Sequence, residues 1–157
     1  MCVSSHGAHE GFVDAIAHMP GMSGEDADAT GAYHQTTLGP ECPPTYIILP
    51  KNRWPKHWHG KYTNPVVPLT VNLYGHPLAS LFWERYCSKA VIACGFQKVV
   101  GWECLWQHKT KGLFLSIYVD DFKMGGRKES IQPVWMELAK HLKLDPPQSL
   151  ENNDILE

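Results

Sequence analysis

Apolar residues recur along this chain with two different periods, and the switches between them mark out its elements. The clearest helical stretch follows Pro77: Leu78, Leu81, Phe82, Tyr86, Ala90 and Ala93 return every three to four residues, and Gly95 supplies the stop. A second stripe of Ile131, Val134, Trp135, Leu138, Ala139 and Leu142 predicts a final helix, with Ser130 as its N-cap, Pro133 in the first turn and Pro146 and Pro147 ending it. Two apolar runs, 97–108 and 113–119, flank the polar link Lys109-Thr110-Lys111-Gly112 and predict a hairpin. The second run leads into Asp120 and Asp121, with 122–124 as a returning strand, so the acidic pair is expected at a β-turn. Earlier in the chain, 45–49 and 66–73 read as short strands, and 26–38 reads as a strand passing into a turn of helix.

The first 24 residues hold no sustained period and are predicted to be a loosely ordered tail; 148–157 is expected to be a polar tail without structure. Between them, 25–147 is expected to form one domain. The element order gives an α+β fold, a mostly antiparallel sheet with helices packed on one face.

Composition sharpens this in a few places. A chain of 157 residues, 43% hydrophobic with six Trp, is enough for one ordinary core. No apolar run approaches the ~20 residues of a membrane helix, and the N-terminus lacks the charged start and apolar run of a signal peptide. An intracellular location, cytoplasmic or nuclear, is the expectation. Five Cys without a paired short spacing read as buried small hydrophobes rather than a disulfide framework or zinc knuckle. His57 and His59 read as exposed imidazoles on a loop. The net charge of −2 excludes a global basic field, so any nucleic-acid contact must come from a local patch. One stands out: Lys51, Arg53, Lys56 and Lys61 alternate with Trp54 and Trp58, a mixture that tracks a phosphate backbone and stacks bases, and that equally suits a solvated loop with anchored rings. Arg85 and Lys89 on the long helix read as a solvated face.

Adjacent Asp120 and Asp121 at a tight turn repel one another, so a cation is expected to share their site. Carboxylates are the ligands of hard divalent ions, and nucleotidyl transfer uses two such ions about 4 Å apart. A further carboxylate must come from a neighbouring strand. Asp28 is the candidate, with Asp26 on the same strand face as the alternative.

Four segments, in order, carry a family resemblance. Tyr118-Val119-Asp120-Asp121 resembles the catalytic turn of reverse transcriptases, and Asp28-Ala29-Thr30-Gly31-Ala32-Tyr33 resembles their first palm motif, with an aromatic residue five positions after the aspartate. Leu73-Tyr74-Gly75 with Trp83 is similar to the copia-type signature, and the short strand ending at Pro50 fits the same family. The chain thus resembles part of a copia-type retrotransposon reverse transcriptase, over about residues 26 to 145. The resemblance implies a reverse transcriptase palm-like sheet with fingers and thumb incomplete, and RNA-directed DNA polymerase activity by two-metal nucleotidyl transfer. Asp28 and Asp120 would hold two Mg2+ ions, with Asp121 completing the cluster. Tyr33 would lie beneath the sugar of an incoming deoxynucleoside triphosphate, core packing being its other reading, and Tyr118 would pack against the primer end. An RNA or DNA template-primer and the remainder of a Pol polyprotein are the implied partners. His76-Pro77-Leu78 departs from the family's Leu-Lys-Gln, so the contacts of that Lys and Gln are not expected, and the isolated fragment is expected to be weakly active or inactive. Two alternatives follow from the same residues: a decayed, non-catalytic mobile-element remnant acting at most as a nucleic-acid-binding or structural module, and an unrelated small α+β interaction module.

Overall fold

The computed structural model describes residues 7–152. Among them, three α-helices and a six-stranded antiparallel sheet form a mixed α+β fold. The strands of that sheet are β1 (Met22–Asp28), β4 (Phe96–Lys98), β5 (Leu105–His108), β6 (Leu113–Tyr118), β7 (Asp121–Arg127) and β8 (Gln148–Ser149), in the spatial order β4-β5-β6-β7-β1-β8. A separate two-stranded sheet pairs β2 (Tyr46–Ile48) with β3 (Val66–Pro68).

Strand alternation decides which residues meet the core. On β6 and β7, Leu113, Leu115, Phe122 and Met124 point to one face, and each is at most 1% exposed. Burial of each is worth on the order of 1.5–3 kcal/mol. Onto this face pack α2 (Ala79–Ala93), through Trp83, Cys87, Ala90 and Val91, and α3 (Lys128–Leu138), through Ile131, Val134, Trp135 and Leu138. Helix α2 stops at Gly95, whose φ of +92° is open to glycine and costly for other residues.

The opposite face corrects two expectations. Residues 8–17, expected within a loose tail, form helix α1 (Ala8–Ala17), with His9, Val13 and Ala17 buried. Their spacing of four is one turn of helix, a stripe too short to stand out among Gly and His neighbours. Because α1 lies across β7, β1 and β6 on the side away from α2 and α3, the helices cover both faces rather than one. Two glycines admit it: a Cβ at Gly24 would stand 2.6 Å from Ala17 Cβ, and one at Gly125 2.8 Å from the Val13 carbonyl.

Smaller differences follow from pairing. The expected single strand over 97–108 is divided: Val99 N–H donates to Leu105 O and Trp102 N–H to Val99 O, folding the run into the β4–β5 hairpin. Residues 148 and 149, expected in an unstructured tail, pair with Asp26 and Glu25 as the edge strand β8, and Leu150 is buried beside Gly24; the rest of that expected tail, 153–157, lies outside the described residues. Helix α3 begins at Lys128 rather than after Ser130, and ends at Leu138. Cys87 and Cys94 are buried free thiols, whereas Cys104 is disulfide-bonded. No helix among the described residues is long and apolar enough to cross a membrane.

Candidate active site

The hairpin β6–β7 is closed by the pair Tyr118 and Asp121, which leaves Val119 and Asp120 as a two-residue turn. Among the described residues Val119 is the one non-glycine with positive φ, at 55°. Positive φ at the first turn position suits the right-handed strand twist but is normally supplied by glycine. A β-branched residue there costs about 1–2 kcal/mol. Hydrogen bonds on both turn carbonyls hold it in place: Trp83 Nε1 donates to Val119 O at 2.6 Å, and Ala29 N–H donates to Asp120 O at 2.7 Å. Strain of this kind persists only where surrounding contacts over-determine it.

The bond from Ala29 also fixes the end of β1 beside the turn. In the β1–β7 register Asp28 stands opposite Asp121. Burial pushes the pKa of Asp121 above the usual carboxylate range, and the Asp120 charge, the neighbouring Asp28 carboxyl and the Glu10 charge push the same way. Asp28, Asp120 and Asp121 are therefore brought together, with Glu10 at the edge of the cluster. Asp26 is not part of it. It stands opposite Lys123, and its Oδ1 is buried without a hydrogen-bond partner, while Lys123 Nζ is held by Asp14 of α1 at 3.1 and 3.2 Å. No group of three or more His, Cys, Asp or Glu side chains among the described residues is arranged to hold a metal ion, so the trio is not drawn into a preformed cage. The chemistry of the donors, three neighbouring carboxyls that repel one another, nonetheless fits a hard divalent cation.

Tyr33 sits in a single 3-10 turn, Ala32–Gln35, behind the cluster. Its ring is buried 4.4 Å from that of Tyr74, and its hydroxyl is 3.1 Å from Ser80 Oγ. Tyr74 is half-exposed; burial first, then the Asp120 charge and Tyr33, raise its pKa above the ordinary phenol value, which puts it within electrostatic reach of the turn. Sequence reasoning gave roles to neither Tyr74 nor the indole N–H of Trp83. Both lay in the segment from Leu73 to Trp83 that carried the resemblance, but only the fold shows what each touches. Tyr118 is the last residue of β6, half-buried and paired with Asp121.

The basic residues lie elsewhere. Lys51, Arg53, Lys56 and Lys61 are all exposed on the connection between β2 and β3, which makes two single 3-10 turns, and no ion pair among the described residues involves any of them. Their rings are organised locally: Trp54 Nε1 donates to Leu49 O at 2.8 Å, Trp58 stands edge-on to Tyr62 at 5.9 Å, and Lys61 Nζ lies 5.5 Å over the Tyr62 ring. The base of this arm is tied to the body through Leu38 N–H on Thr70 O and Asn72 N–H on Thr36 O. Arg85 pairs with Glu41, an exposed bridge of little weight.

A scan against protein-family models finds no match to the chain, and neither does a comparison with curated proteins.

Proposed function

We propose that the chain is a palm-like piece of a copia-type reverse transcriptase, with Asp28, Asp120 and Asp121 as the carboxylates of a nucleotidyl-transfer site. The observation that carries this reading is the β1–β7 register, which sets Asp28 against Asp121 while Ala29 binds the Asp120 carbonyl. Acids remote in sequence gain nothing in stability from such proximity, and a chain that keeps them together at a strained turn is using them.

Asp28 and Asp120 would hold two Mg2+ ions, with Asp121 completing the set. When bound, the ions would supply charge neutralisation for the transferring phosphoryl group and its leaving pyrophosphate. The protein's own part is positioning. Tyr33, backed by Ser80 and stacked on Tyr74, offers a rigid surface for a deoxyribose, and its bulk would disfavour a 2′-hydroxyl. Tyr118 would seat the primer end, and Lys51, Arg53, Lys56 and Lys61 would hold the RNA or DNA template strand electrostatically.

The full chain, given an oligonucleotide template-primer, deoxynucleoside triphosphates and Mg2+, is expected to extend the primer slowly, and both Asp28→Asn and Asp120→Asn are expected to abolish extension. A rate unaffected by Asp120→Asn overturns the mechanism. His76-Pro77-Leu78, standing where the family carries Leu-Lys-Gln, favours a second reading, a decayed remnant without catalysis. Calorimetry separates the two: a remnant has no Mg2+ affinity that depends on these carboxylates.

A further inference from the structure

Between the 3-10 turn Ala32–Gln35 and the stretch that follows α3 lies a cavity of about 420 Å³, and none of Asp28, Asp120, Asp121, Tyr33 and Tyr118 lines it. Its walls are tied to one another within the fold. Gln35 spends its whole amide on this: Nε2 donates to Thr30 O at 3.1 Å and to Lys143 O at 2.9 Å, and Oε1 accepts from Lys143 N–H at 2.8 Å. Thr30 N–H also donates to Lys143 O at 3.1 Å, and Tyr86 on α2 closes a third side by donating to His141 O at 2.9 Å. The volume falls within the roughly 300–1,000 Å³ of small-molecule sites, which are usually preformed in this way.

The lining is basic: His34, Lys140, His141 and Lys143 border the cavity, and no Asp or Glu does. The carboxylates beside it are engaged. Glu137 pairs with Lys140 and lies within electrostatic reach of His141, and Asp145 Oδ1 accepts from Thr30 Oγ1 at 2.7 Å. The negative pole of α3 is met as well, because the carbonyls of Trp135, Glu137 and Leu138 accept N–H groups from residues 139–142. Lys143 makes no ion pair among the described residues. An entering group therefore meets one uncommitted ammonium and two imidazoles, each of which offers an N–H in either charge state. Such a set favours a compact anion with several acceptor oxygens. We infer that this cavity binds a small phosphate-bearing anion, held by Lys143, His34 and His141. The site stands apart from the carboxylate cluster and needs no metal.

The test uses the full chain in metal-free buffer at constant ionic strength, so that no Mg2+ held by the carboxylates can bring phosphate with it and the outcome is independent of polymerase activity. Inorganic phosphate and phenyl phosphate are titrated separately while the imidazole Cε1–H resonances are followed by proton NMR, with His34→Gln and His141→Gln supplying the assignments. The resonances of His34 and His141 are expected to move together to saturation, while those of His57 and His59, exposed on the β2–β3 connection, stay fixed. Tighter binding of phenyl phosphate identifies an organic phosphate as the ligand, and tighter binding of the inorganic ion a free one. Lys143→Gln is expected to weaken the preferred probe about threefold, the effect of one exposed charge pair. Lys109→Gln, which removes an equal charge from the β5–β6 link, is expected to leave binding unchanged. Ala139→Trp, at an exposed lining position, is expected to abolish saturation by filling the cavity without altering charge, with far-UV circular dichroism confirming that the helices remain. Shifts spread over all the imidazoles, no saturation by either probe, equal weakening by Lys143→Gln and Lys109→Gln, or binding that survives Ala139→Trp each overturns the site.

Discussion

Asp121 shows how a single residue reports on the cluster around it. Its pKa is raised, chiefly by burial and then by Asp120 and Asp28, so the native state keeps this proton to higher pH than the unfolded chain does. A raised folded-state pKa gives stabilisation that is full below the ordinary carboxyl pKa of about 4 and is lost as pH rises through the folded value. Asp121→Asn carries no such proton and no such charge. The variant is expected to gain stability relative to the parent as pH is raised from about 4 to about 7, read from urea unfolding at a series of pH values. A stability difference that does not change across that range means that the carboxyls do not interact. That two acids sit at a turn was legible from the sequence. That Asp28 rather than Asp26 joins them was pointed to by the family resemblance and not by the pattern, because strand alternation puts both on one face and only the register distinguishes a partner in Asp121 from a partner in Lys123.

Among the α-helices, α1 is the one the hydrophobic pattern did not reveal. Its contact with the sheet rests on glycines that yield space, which gives a pair of substitutions with opposite signs. Gly125→Ala places a methyl 2.8 Å from Val13 O and 2.9 Å from Val13 Cγ1, and is expected to destabilise by about 1–3 kcal/mol. Gly11→Ala, in the exposed middle of α1 with nothing within 4 Å of the new methyl, is expected to stabilise by about 0.5–1 kcal/mol. Urea unfolding of both variants checks this, and a stabilised Gly125→Ala would show that α1 does not lie on β7. Helix α2 and the β6–β7 hairpin were legible because local signals agree there: a long 3.6-residue period with Gly95 as stop, and an apolar strand running into a polar turn. Helix α1 has only ten residues, and its faces become distinct when the sheet is beneath it.

Across the whole molecule, charge is separated although the net value is small. Between Glu41 and Glu84 the sequence contains no Asp or Glu, and it is here that Lys51, Arg53, Lys56 and Lys61 stand exposed on the β2–β3 connection, whose two strands form a sheet separate from the one that bears Asp28 and Asp121. If these cations meet a single strand, removing them must reduce its salt dependence. The Lys51→Ala, Lys56→Ala double variant is expected to lower the slope of log affinity against log salt for an oligothymidylate by about 1.4, roughly 0.7 for each phosphate that is no longer neutralised. Anisotropy titrations over a range of salt concentrations measure this, and an unchanged slope places the phosphate-binding cations elsewhere. The sequence by itself determined the α+β class, the principal strands and helices, the local basic patch and the acidic turn, because each depends on neighbours within a few residues. The tertiary structure alone decided that α1 covers the second face, that Asp28 is the aspartate opposite Asp121, that Trp83 and Ala29 hold a β-branched residue at positive φ, and that His34, His141 and Lys143 line one cavity. These depend on strand register and helix packing, set between residues far apart in the chain, and no local pattern encodes them.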